Sequence, residues 1–198
     1  MGLSAYKAFL GLTAVGLTVA TFAPYIVAIA RGSLKPHVFS WVIWGATTFV
    51  VFLAQLDEDG GAGAWAVGVF GCINLAIALL AYVKRGDATI TRTDWWFLIA
   101  ATLALPLWYL TSEPLWAVVI LTIVDLLGFG PTVRRAIEMP DAESATIFAL
   151  FALRYMLVLL ALESYSVATV LFPAAIASAW VCLTVLLVMR RRRKKEAT

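Results

Sequence analysis

Charged side chains are scarce in this sequence. Asp, Glu, Lys and Arg together make up 14% of its 198 residues, against about 25% in soluble domains. With 63% of the chain hydrophobic, so little charge cannot cover a water-facing surface. The sequence therefore predicts an all-α integral membrane protein with no separate soluble domain. Histidine occurs once, as His37, which excludes a multi-histidine metal site. The two cysteines, Cys72 and Cys182, lie deep in apolar runs without His or Cys neighbours at ligand spacing. They read as small core residues. No Ser-His-Asp, Cys-His or paired-carboxylate arrangement falls within one pocket, so neither catalysis nor a cofactor or metal is expected. Gly60-Gly-Ala-Gly63 lacks the preceding strand and following lysine of a phosphate-binding loop and reads as a turn.

What the chain does have is apolar runs of a length that crosses a bilayer as helix, roughly 17–25 residues. Seven can be drawn: Ala5–Ala30, His37–Leu56, Ala64–Val83, Trp95–Thr111, Leu115–Arg134, Ala145–Leu162 and Val167–Met189. The first carries Ala28-Ile-Ala30, which mimics a cleavage site. Its length, and the position of Arg31 and Lys35 after it, argue for a span over a signal peptide. Trp95, Trp96, Trp108 and Tyr109 near span ends read as an interfacial aromatic belt.

Loop charge sorts the spans. One side collects Arg31, Lys35, Lys84, Arg85, Arg92, Arg134, Arg135 and the basic tail Arg190-Arg-Arg-Arg-Lys-Lys195. The other collects Asp57, Glu58, Asp59, Glu113 and Glu163, with only Lys7 as a base. Lys and Arg favour the cytoplasmic side, so the N-terminus is expected outside and the C-terminus inside, in the plasma membrane. The tail, residues 190–198, suits anionic lipid headgroups. Nucleic acid is not an expected partner, since no basic domain accompanies the tail.

Two stretches repeat. Phe22-Ala-Pro24-Tyr-Ile leads through Arg31 into Trp41-Val-Ile-Trp44, and Phe129-Gly-Pro131-Thr-Val leads through Glu138 into Phe148-Ala-Leu-Phe151. The offset is constant, since 131 − 24 and 148 − 41 both give 107. Three helices would form each repeat, residues 1–86 and 113–189, with a linker helix in 87–112. The linker crosses the membrane once, so the two repeats run parallel, one of the two arrangements known for carriers. Two repeats already make a complete unit, and a homo-oligomer is compatible with them.

In this topology, and around Pro24 and Pro131, the chain resembles the SWEET and PQ-loop superfamily, although Pro24-Tyr25 and Pro131-Thr132 stand where that family has Pro-Gln. The resemblance implies a seven-helix, three-plus-one-plus-three carrier that moves a small polar solute by alternating access. It also implies that Pro24 and Pro131 are gating hinges and that Asn74 on the third helix contacts the solute. The seventh span offers Ser178, Trp180 and Thr184 in place of a second asparagine. A fixed packing kink at the prolines, an interhelical hydrogen bond at Asn74, and a receptor or scaffold that binds without transport are the competing readings.

Asp125 and Arg154 are the only ionisable residues well inside the apolar spans. A lone charge at the bilayer centre costs at least ~2.5 kcal/mol, so both are expected to face inward, as an anion or carboxylate clamp through Arg154, as a proton-coupled site in which Asp125 titrates, or as a structural pair. Subtracting 107 places Thr18 opposite Asp125 and Thr47 opposite Arg154, confining charge to the second half. Trp41 and Trp44, and Phe148 and Phe151, each fall three residues apart on one helix face. Trp44 and Phe151 are the expected pocket members, with core packing as the alternative.

Overall fold

The computed structural model describes residues 2–84, 92–141 and 143–196. These form eight helices and no β-strand: α1 Leu3–Ala30, α2 Val38–Asp57, α3 Gly61–Val83, α4 Arg92–Thr111, α5 Pro114–Gly128, α6 Gly130–Glu138, α7 Ala145–Ala161 and α8 Val167–Glu196. Apolar sequence folds this way because a helix satisfies its own backbone hydrogen bonds where water is absent. Polar residues mark the starts. His37 Nδ1 accepts from Ser40 N at 3.3 Å ahead of α2, Ser144 Oγ accepts from Ile147 N at 3.3 Å ahead of α7, and Pro114 occupies the first turn of α5.

Five segments are long and apolar enough to cross a membrane: Leu3–Ala30, Val38–Asp57, Gly61–Val83, Pro114–Glu138 and Val167–Arg193. Large apolar side chains such as Leu12, Leu79, Leu103 and Leu127 are exposed along the bundle, a surface that suits lipid and not water. The chain thus has the make-up of an integral membrane protein. Two of the seven expected spans are short, with apolar helix only over Leu98–Thr111 and Ala145–Ala161. The first begins with polar Arg92 and Asp94. The second ends at Leu162 because the chain turns there, and Glu163 N donates to Gly60 O at 3.2 Å.

The expected fifth span, Leu115–Arg134, is interrupted at Phe129 between α5 and α6. Pro131 has no N–H to bond back along the helix, and Gly128 and Gly130 beside it have low helix propensity. Pro24 lies between Ala23 and Tyr25, and α1 runs through it unbroken. At the other end of the chain, α8 carries the helix into the basic tail as far as Glu196.

Contacts fix which helix ends lie together. Lys7 Nζ donates to Leu162 O at 2.5 Å, and Gln55 Nε2 donates to Thr169 O at 2.7 Å. A side chain at Gly11 or Gly63 would collide with Ala62 or with Leu162 and Val158. The start of α1, the α2–α3 turn, the end of α7 and the start of α8 therefore share one end, with Asp57, Glu58, Asp59 and Glu163. At the opposite end Phe39 meets Trp95, with ring centroids 6.2 Å apart, Trp44 approaches Gly128, and Arg191 bonds Pro140 O at 3.0 Å and Glu143 O. Arg31, Lys35, Lys84, Arg92 and Arg190 belong to this basic end. Arg191 is thus occupied with the α6–α7 loop, unlike a tail residue free for lipid.

Neighbour relations repeat along the chain. α3 packs on both α1 and α2, and α8 packs on both α5 and α7. Across the bundle, α1 packs on α7 and α2 on α5, while α3 meets α7 and α2 meets α8. α4 covers α5 and α2 from outside.

Candidate functional site

The most demanding residue in the apolar interior is Arg154 on α7, buried at 4% exposure. Its guanidinium carbon lies 3.6 Å from the centroid of the Phe70 ring on α3 and 4.0 Å from that of Tyr155. Such cation–π contacts are worth about 2 kcal/mol when desolvated, which offsets part of the cost of burial. The Tyr155 side chain also hydrogen-bonds the guanidinium, but Nε of Arg154 has no hydrogen-bond partner.

Asp125 does not close this gap. Its carboxylate accepts from Thr47 Oγ1 at 3.2 Å, across the α2–α5 contact, and among the described residues no ion pair joins it to Arg154. The two charges act on each other through space without touching. The expected structural pair is therefore replaced by separate positions: Asp125 with Thr47 between α2 and α5, and Arg154 between α3 and α7. The threonines differ in the same way. Thr47 spans two helices, whereas Thr18 bonds Ala14 O of its own helix at 2.8 Å.

Asn74 is 1% exposed and its Oδ1 has no partner. It stands one turn, about 6 Å of rise, beyond Phe70 on the same face of α3, towards the basic end. Phe22, absent from the sequence-derived site, closes the space between the helices, with ring centroids 5.5 Å from Phe70 and 5.5 Å from Phe151. Phe151 continues into Trp180 at 4.8 Å, and Trp180 also meets Phe148 at 5.2 Å and Phe129 at 4.8 Å. Phe151 and Trp180 are thus brought together.

Other expectations are corrected. Trp44 is 36% exposed while Trp41 is buried, so within this pair Trp41 is the interior residue, packed on Phe22 and Tyr25. Cys72 and Cys182 are exposed. They ride on the outward faces of α3 and α8, where a weakly polar thiol is tolerated. Trp95, Trp96 and Tyr109 are exposed as belt residues should be, but Trp108 packs inward on the main core. Pro24 is on the exposed side of α1 and Pro131 in the first turn of α6. Ser178 and Thr184 bond the carbonyls of Ala174 and Trp180 in their own helix.

Two cavities open along α8, of about 560 Å³ beside Tyr165, Val170 and Ser178 and about 350 Å³ beside Phe129, Cys182 and Leu183. Neither is lined by Asn74, Asp125 or Arg154. No family model, curated protein or solved structure matches the chain.

Proposed function

We propose that this protein is a multi-pass transporter of a small polar solute, built from two parallel three-helix repeats with α4 as the linker. The observation that carries the reading is the repeated neighbour pattern. Exchanging α1, α2 and α3 for α5, α7 and α8 leaves the set of packed pairs among these six helices unchanged, as expected of two halves related by an axis along the membrane normal. α5 and α6 together then count as one span. The resemblance to the SWEET and PQ-loop superfamily leads to the same architecture.

The acidic end is the outer one on the charge rule, with the N-terminus outside and the C-terminus in the cytoplasm of a plasma membrane. In this conformation the bonds from Lys7, Gln55 and Glu163 tie the two halves at the outer end. Transport requires those bonds to break when the inner end closes. Arg154, Asn74, Asp125, Phe151 and Trp180 would surround the solute near mid-membrane, with Thr18, Thr47 and Trp44 at its margins.

The test is counterflow in proteoliposomes loaded with sugars, nucleosides, amino acids or carboxylates. A carrier accumulates labelled solute against an unlabelled internal pool. Saturable binding without flux for every class identifies the non-transporting receptor instead.

A further inference from the structure

The Arg154 guanidinium packs against the rings of Phe70 and Tyr155, which meet edge to face with centroids 6.3 Å apart. An arginine held in this way keeps its hydrogen-bonding capacity in its plane, because all five N–H donors point outward along the edge. That edge matches a carboxylate, which accepts two parallel N–H bonds. Among the described residues no carboxylate is paired with Arg154, whose only side-chain hydrogen-bond neighbour there is Tyr155. Nε is unpartnered, and Asp125 is held by Thr47 on a different pair of helices.

A second buried polar group points the same way. Asn74 Oδ1, also unpartnered, lies one turn along α3 from Phe70 and can accept from a hydroxyl or ammonium group. Unmet donors and acceptors are costly in an apolar interior. Among the described residues neither Arg154 Nε nor Asn74 Oδ1 has a partner.

We infer that Arg154 is an anion-binding residue and that the solute it receives carries a carboxylate. This inference rests on the transport reading for its setting, but not for its chemistry. A solute that also carries an ammonium group would leave the site with no net charge, because Asp125 acts on Arg154 from nearby.

The experiment is calorimetric titration of the purified full-length protein with acid and amide pairs: L-alanine and alaninamide, L-leucine and leucinamide, succinate and succinamide. Glucose and uridine serve as neutral probes. At least one acid should bind 10- to 100-fold or so more tightly than its amide, the range set by hydrogen bonds to charged groups. Arg154→Met should abolish that preference. Arg154→Lys, which keeps the charge and loses the planar fork, should retain a weakened preference and shows whether the loss is chemical or a failure to fold. If no acid binds more tightly than its amide, the inference is overturned. Acid binding without counterflow removes the transport reading and leaves the site. Counterflow of glucose or uridine with no acid preference removes the site and leaves the transport reading.

Discussion

Arg154 is held in a position that stability alone does not favour. A buried charge with no ion-pair contact is destabilising, and well-packed apolar replacements of buried ionic groups are often neutral or stabilising by 1–4 kcal/mol or so. Arg154→Met should therefore leave the thermal midpoint in detergent unchanged or higher while removing ligand binding. A fall of several degrees would mean that the contact with Phe70 and Tyr155 is structural. The glycines make a contrasting pair. A Cβ at Gly63 would lie 2.8 Å from Val158 O and Leu162 N, whereas one at Gly16 meets nothing within 4 Å. Gly63→Val should lose about 1–3 kcal/mol through overpacking, and Gly16→Ala should gain up to about 1 kcal/mol of helix propensity. Melting curves of the two variants check both. Arg154, Asp125 and Asn74 were legible in the sequence because ionisable and carboxamide groups are rare in apolar runs. Phe70 was not, since an aromatic in a membrane helix is ordinary until its neighbour is known.

Among the elements, the two copies of the proline region differ. α1 continues through Pro24, while the second copy breaks at Phe129 into α5 and α6. The repeat was visible in the residues, but the break depends on the glycines flanking Pro131, which the first copy lacks. A hinge needs backbone freedom, and the second copy has more of it. Pro131→Ala combined with Gly130→Ala should join α5 to α6 and slow initial uptake several-fold with folded yield intact. Pro24→Ala should have a smaller effect. Equal uptake by wild type and the double variant would remove the gating role. Helix ends were less legible than helix existence. α7 stops where Glu163 bonds the α2–α3 turn, and α8 continues into a tail whose Arg191 bonds the α6–α7 loop. Both ends are decided by partners distant in the chain.

At the scale of the molecule, sorted charge implies a direction. With Cys72 and Cys182 replaced by alanine, Asp59→Cys should react with a membrane-impermeant maleimide added to intact cells. Arg192→Cys should react only after permeabilisation. The reverse pattern would overturn the orientation. The sequence alone determined the apolar helical character and the separation of acidic from basic ends, because composition and period act locally along the chain. Only the tertiary structure decided that Asp125 and Arg154 stand apart, that Trp41 and not Trp44 faces inward, and that Phe70 packs against Arg154. Those facts depend on how helices rotate against one another, and helices apolar on nearly every face leave that rotation to packing across the bundle.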